Sequence, residues 1–313
     1  MSAHAPEPVD SPEPAATAER APRRRVLLTT DCGTEMDDQW ALAHLALSPE
    51  WDLVGVVTTH APNLAGSAAE RTAEAAREVL RRVAPGCGVE VRAGSSVPLP
   101  DARTPLANRG VERILERAAV RGPEGRLTVL AIGAATDVAS ALLADPTLAE
   151  RIEVVAMGFQ GRSVGGDEWN VKNDPAAWRV LLGSRVPLTV GAADVCKRRL
   201  LMTGERACDR FAGRGPVGRY LADLLIEWLG ANGATASLVT GRSDAWPVWD
   251  EIVVAHLLGL SAVRRHPRPL LREDLTFGSR SDAAADRGID WITDVDDAGL
   301  WEDLAGKLLP GGR

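Results

Sequence analysis

The chain has 313 residues, 45% of them hydrophobic and 25% charged, the balance of a globular protein with one large or two small domains. A net charge of −7 argues against a general nucleic-acid surface, and no run approaches the ~18 apolar residues of a membrane span. Four cysteines (Cys32, Cys87, Cys196, Cys208) show neither CxxC spacing nor a dense framework, which points to reduced thiols and a cytoplasmic location.

The first 24 residues are rich in Pro, Ala and Glu and lack an apolar core segment, so they read as a disordered tail and not as a signal peptide. The remainder, 25–313, reads as one domain without an internal repeat or interior linker. Its first element is the apolar, β-rich run 26–30, followed by Asp31, a turn at Cys32-Gly33-Thr34, and a helix opening at Asp37-Asp38. WDLVGVVTT (51–59) is a second buried strand, 67–83 an amphipathic helix and 89–94 a third strand. After a Pro-rich loop the pattern predicts a helix at 110–120, a strand at 127–133, a helix at 136–143 and a strand at 152–158. Pro175 suits the first turn of a helix over 174–184, and PLTVGAADV (187–195) reads as a further strand. The rest reads as more helical, with segments at 211–230 and 249–260. Strands alternating with helices predict an α/β fold: a doubly wound, mostly parallel sheet with helices on both faces.

In such a fold the loops after successive strands gather at one sheet edge, where ligands bind. Those loops carry Asp31, Asp37 and Asp38, then His60 and Asn63, then Thr136-Asp137, then Glu168, Trp169, Asn170 and Asn173. Trp246-Pro247-Val248-Trp249-Asp250-Glu251 opens a later helix with an acid at its start. Three carboxylates within residues 31–38 repel one another, and a hard cation with oxygen ligands would offset that. The alternative is that Asp37 and Asp38 only cap a helix while Asp31 ends a strand. Carboxylates and Asn suit a metal and sugar hydroxyls, and indoles suit a flat base.

Several segments carry a family resemblance. TTDCGTEMDDQWAL is similar to the aspartate-cluster signature of the nucleoside hydrolases of the inosine–uridine-preferring type. LAIGAATDVASALLADPTLAERIEVVAMG resembles the GPLTN…MGG segment of that family, and DEWNVKNDPAAW its EFN…DPEAA segment. The matches run in order over roughly 26–260. The resemblance implies a doubly wound α/β fold with Ca²⁺ at the bottom of the pocket. By similarity Asp31, Asp38 and Asp250 would be carboxylate ligands, and Ile132 would contribute its backbone carbonyl. Asp31 would also take the proton from a water held by the ion. Asp37, Asn63, Glu168 and Asn170 would bind the ribose hydroxyls, with Asp250 touching both sugar and metal. The implied reaction is hydrolysis of the N-glycosidic bond of a ribonucleoside through an oxocarbenium-like state. The implied partner is a small nucleoside-like substrate, with no nucleic acid or membrane, and a homodimer or homotetramer is common among such proteins.

The sequence also departs from that pattern. Thr34, Glu35 and Met36 lengthen the aspartate loop, Asp137 replaces the asparagine of GPLTN, and MGG reads Met157-Gly158-Phe159. Arg162 falls near where another sugar-binding Asn is frequent. Trp249 stands where many members carry a histidine that protonates the leaving base. It could stack on the base or simply pack, and His60 could substitute as acid or be structural. Glu35 could reach the substrate or, the preferred reading, face water; Cys32 is expected to fill space, Trp40, Trp178 and Trp228 to be core, and the basic run 197–206 to be a solvated face. Two alternatives stay open: a non-catalytic metal- and ligand-binding protein on the same fold, or a hydrolase of a modified nucleoside or other glycoside.

Overall fold

The computed structural model describes residues 23–122, 125–280 and 287–309. Most of the expected tail, 1–22, lies outside them, and Arg24 already pairs with Trp51 at the start of the first strand.

The first half alternates as β1 (Arg24–Thr30), α1 (Asp37–Leu47), β2 (Trp51–Thr58), α2 (Ala68–Val83), β3 (Val91–Ala93), α3 (Arg109–Ala119), β4 (Leu127–Ala131) and α4 (Thr136–Ala144). It continues as β5 (Ile152–Met157), α5 (Trp169–Asn173), α6 (Pro175–Gly183), β6 (Leu188–Gly191) and α7 (Ala193–Arg199). Among the described residues, eight strands form one sheet in the order β3-β2-β1-β4-β5-β6, followed by two late strands at the far edge. All neighbours within the first six run parallel. The order reverses between β1 and β4, which opens a crevice beyond their carboxyl ends.

The second half departs from expectation. After β7 (Leu201–Thr203) and the short α8 (Gly204–Ala207) come α9 (Gly215–Thr240), β8 (Ala245–Pro247) and α10 (Glu251–Leu257). Then follow β9 (Ser261–His266), β10 (Leu270–Leu271), β11 (Phe277–Gly278), β12 (Ile289–Val295) and α11 (Asp297–Lys307). β12 joins the main sheet parallel to β6, and β9 closes that edge antiparallel to β12. The sequence reading had made this region mostly helical. β9 carries little buried apolar surface, because most of its side chains are exposed, so its pattern lacked the usual strand signal. The expected strand 187–195 ends at Gly191, and α7 begins two residues later. Its run of small apolar residues fits either period.

Helices cover both faces of the sheet. On one side α1, α2, α9, α10 and α11 build a core around Trp40, Phe211 and Trp301. On the other, α3, α4 and α6 pack around Phe159 and Trp178. Trp40 meets Phe211 and Trp301 edge-on at 5.2 and 6.1 Å, and its indole N–H donates to the Leu221 carbonyl at 3.0 Å. Trp40, Ala41, Leu42, Ala43 and Leu45 are all buried, so α1 is apolar nearly all round. Burying each large apolar side chain contributes about 1.5–3 kcal/mol. That anchoring fixes where the amino end of α1 presents Asp37 and Asp38. Trp178 is core as expected, whereas Trp228 is only half-buried and stacks on Trp246 at 4.2 Å.

Candidate active site

The site grows from the carboxyl ends of β1 and β4. Asp31 is the first residue after β1, and Gly33, at φ +89°, turns the chain toward α1. A side chain there would be strained and would press on Ala75. Asp37 and Asp38 form the first turn of α1, where their charge suits the positive helix end. They are not caps: Met36 holds the cap position and makes no side-chain capping bond. The Thr30 hydroxyl, from the last residue of β1, donates to Asp38 Oδ1. Beyond β4, Gly133 lies so close to Asp31 that a Cβ would sit 2.7 Å from Asp31 Oδ1. Asp250 comes from the other half of the chain, immediately before α10.

These pieces converge on a cavity of about 320 Å³ lined by Asp31, Asp37, Asp38, Glu168, Asn170 and Asp250, among others. Asp37, Asp38 and Asp250 are buried, and each offers a carboxylate oxygen within 4.8 Å of the others. Burial, and then the charges of their neighbours, raise all three well above the ordinary carboxylate range. Asp31 is pushed up to about 7 by burial, partly offset by the Thr34 hydroxyl, whose Oγ1 is 3.2 Å from Asp31 Oδ2. Carboxylates crowded this way without a cation favour protonation, and an all-oxygen set of this kind fits a hard divalent ion. The donor chemistry therefore suits a metal. The closest trio contains Asp37, which the sequence reading had given to the sugar, and does not include Asp31.

The second wall is the loop after β5. Glu168 caps α5 by accepting from the Asn170 and Val171 amides at 3.0 and 3.1 Å, and burial raises its carboxyl to about 7. Asn170 donates its side-chain amide to the Ile132 carbonyl at 3.0 Å, so the backbone oxygen named from the sequence faces the same cavity. A carbonyl has two lone pairs, and this bond leaves one of them unused. Trp169 is 40% exposed and lines the cavity beside Glu168.

Indoles form the third wall. Trp249 is half-buried, lines the cavity, and meets Trp246 edge-on at 5.5 Å. Trp246 in turn donates its N–H to Glu35 Oε2 at 3.0 Å. Glu35 therefore belongs to the cavity wall, contrary to the expectation that it faces water, and burial raises its carboxyl. Its position between Gly33 and the Asp pair was the signal, since a strand-end loop points its residues at the crevice. α9 kinks at Asn232, whose side chain donates to the Trp228 carbonyl at 3.0 Å, and Thr235 and Val239 beyond the kink also line the cavity. Lys197 lines it too, with Nζ 6.0 Å from the centroid of the Trp249 ring. The sequence reading had placed Lys197 in a solvated basic run, because a strand drawn through 195 hid the helix that follows β6.

Other expected residues lie elsewhere. Asn63 is exposed in the turn after β2 and does not line the cavity. His60 is buried with Nε2 2.9 Å from the Thr136 hydroxyl, which donates to Asp174 at 2.7 Å, a structural chain away from the cavity. Asp137 accepts from the Ser95 amide and the Asn108 side chain, which fixes the loop after β3. Cys32 is a buried free thiol held protonated by burial and the surrounding carboxylates.

With this geometry in place, comparison with known proteins is informative. Residues 26–302 match the family model described as inosine-uridine preferring nucleoside hydrolase. The pyrimidine-specific ribonucleoside hydrolase RihB of Escherichia coli (strain SE11) is 23% identical over 269 residues, covering 77% of this chain and 80% of that protein. The probable uridine nucleosidase 2 of Arabidopsis thaliana is 24% identical over 229 residues, covering 65% and 69%. The solved purine-preferring ribonucleoside hydrolase from Gardnerella vaginalis superposes with a TM-score of 0.70 at 18% identity, over 91% of this chain and 98% of that one.

Proposed function

The chain belongs to the inosine-uridine preferring nucleoside hydrolase family and is a hydrolase acting on ribonucleosides, and from that premise we propose that the cavity above Asp37, Asp38 and Asp250 is where the N-glycosidic bond is cut, with calcium as the metal. The observation that carries this reading is the convergence of three buried carboxylates from both halves of the chain within 4.8 Å. The ion-holding set we propose is Asp38, Asp250, Asp31 and the Ile132 carbonyl, with Asp37 close enough to share it. When bound, a divalent cation would supply the positive charge these groups lack and acidify a neighbouring water.

Asp31 is the proposed general base. Its carboxylate lines the cavity beside the proposed ion site, where it can take the proton of a water that the cation would acidify. We assign Asn170 and Glu168 to the ribose hydroxyls, a reading supported by their place in the cavity wall and by the two amides that hold Glu168 rigid. As the C1′–N bond lengthens, positive charge grows on the sugar, and the carboxylate floor stabilises it. Trp249 and Trp246 offer aromatic faces for the base. One named relative is pyrimidine-specific and another purine-preferring, so the base is assigned below from this chain's own residues. Free thiols at all four cysteines support the proposed cytoplasmic location, and no described helix is long and apolar enough to cross a membrane.

The test offers uridine, cytidine, inosine and adenosine to the purified protein with calcium and then with chelator, following free base by chromatography. Release that stops with chelator and returns with calcium supports the proposal. Release unaffected by thorough chelation would remove the metal from the mechanism.

A further inference from the structure

The hydrolytic reading accounts for the sugar and the water but leaves the departing base without a group to meet its charge. Breaking the C1′–N bond sends the electron pair to the base nitrogen. The floor of the cavity is made of carboxylates, which oppose that charge. Among the described residues lining the cavity, Lys197 is the one cation, and no histidine or arginine is among them.

Three observations single out Lys197. Its ammonium lies 6.0 Å from the centroid of Trp249, within the range at which a cation is drawn to an indole face. Its neighbours Arg198 and Arg199 are committed to Asp194 and Asp294, whereas Lys197 forms no ion pair with a described residue. Its helix is tied to the Trp249 segment, since the Cys196 thiol approaches the Trp249 carbonyl at 3.5 Å. A flexible, hydrated ammonium kept free at the wall that would receive a flat base is placed to donate to an acceptor on that base.

Resting on the hydrolytic reading above, we infer that Lys197 is the leaving-group residue of this site, and that it favours bases that depart as anions delocalised onto carbonyl oxygens, the oxo-bases of inosine and uridine type, over adenine. The ammonium donates a hydrogen bond to a carbonyl oxygen of the bound base. As the C1′–N pair moves onto the base, the developing negative charge is met by that ammonium. Water forms the C1′–O bond and gives its proton to a carboxylate of the floor, which passes it to solvent. The departing base takes one proton from solvent through Lys197, so ribose and neutral base leave together. Adenine has no carbonyl acceptor and places an amino group, itself a donor, where the ammonium would bind.

The experiment compares wild type, Lys197→Met and Lys197→Arg on inosine, adenosine and 4-nitrophenyl riboside, whose leaving group departs as a stable anion without help. Lys197→Met is expected to lower kcat on inosine by about 100-fold, the scale of one acid group, while the nitrophenyl riboside changes by less than about twofold. The preference for inosine over adenosine should shrink in the same variant, and Lys197→Arg should recover part of it. An equal loss on all three substrates, or no loss on inosine, overturns the inference while leaving the hydrolytic reading intact. A wild type that cleaves none of them, nor uridine or cytidine, overturns that reading and the inference together. Lys197 is exposed, so the variants should melt with wild type.

Discussion

His44 Nδ1 stands 2.9 Å from Glu251 Oε2, with both side chains sealed from solvent. On the other side of the ring, Nε2 is 2.8 Å from Asp303 Oδ2. With both ring nitrogens facing carboxylates, the imidazole is held as the doubly protonated cation. The bridge joins α1, which carries Asp37 and Asp38, to α10, which follows Asp250. It thereby fixes the spacing of the carboxylate floor from behind.

Removing that ring leaves Glu251 buried and unpaired. His44→Ala should cost about 3–5 kcal/mol of stability in urea unfolding. Burial lowers the His44 pKa, but the charge of Glu251 and the bonds to Asp303 and Glu251 outweigh it, so the net shift is upward from 6.5. Its contribution is therefore complete below the unfolded pKa and is lost as pH rises through the folded one. Wild type should lose stability above neutral pH in a way that the alanine variant does not. Parallel pH dependences would show that the ring is not charged in the fold.

The metal-free carboxylate floor has the same sign, at lower pH. The Asp31 carboxyl is raised by burial from 3.8 to about 7, so without metal the folded state keeps a proton that the unfolded state has lost. Chelated protein should therefore lose stability as pH climbs from about 4 to about 7, by up to a few kcal/mol for this one group. Calcium should reverse the loss, by about 2.7 kcal/mol at a concentration of 100 times its dissociation constant. Unfolding curves at pH 5 and 7.5, with and without calcium, measure both effects. Asp38→Ala and Asp250→Asn should abolish the calcium response along with activity.

Trp246 and Glu35 make a second buried pair. Trp246→Phe keeps the aromatic face but removes the only side-chain donor to the Glu35 carboxyl among the described residues. A loss of about 1–3 kcal/mol is expected, together with a raised KM. Glu35→Gln retains an acceptor for the indole N–H and should be milder. If Glu35→Gln proved the more damaging of the two, the carboxylate would be acting on substrate directly.

Gly133→Ala is a test of close approach. Its Cβ would lie 2.7 Å from Asp31 Oδ1 and 2.8 Å from the Asp31 amide nitrogen, so either the β4 loop or Asp31 must move. Overpacking of this kind costs about 1–3 kcal/mol, and a displacement near the reacting groups lowers kcat by about 100-fold. Unchanged turnover would mean that Asp31 need not hold its observed position.

The sequence by itself determined six of the eight strands of the main sheet, because most of them are largely buried and read as apolar runs between helices. It also placed Asp31, Asp37, Asp38, Glu168 and Asn170 at one edge, because strand-end loops in a parallel sheet share that edge. Only the tertiary structure decided what stands opposite them. Asn63 belongs to a strand-end loop and still misses the cavity, since the turn after β2 carries it outward. The pairing of Glu35 with Trp246 and the approach of Lys197 to Trp249 join segments about 210 and about 50 residues apart, which no local period encodes. β9 escaped notice for a related reason: an edge strand exposed along most of its length has no apolar face to announce it, and only its pairing with the interior strand β12 reveals it.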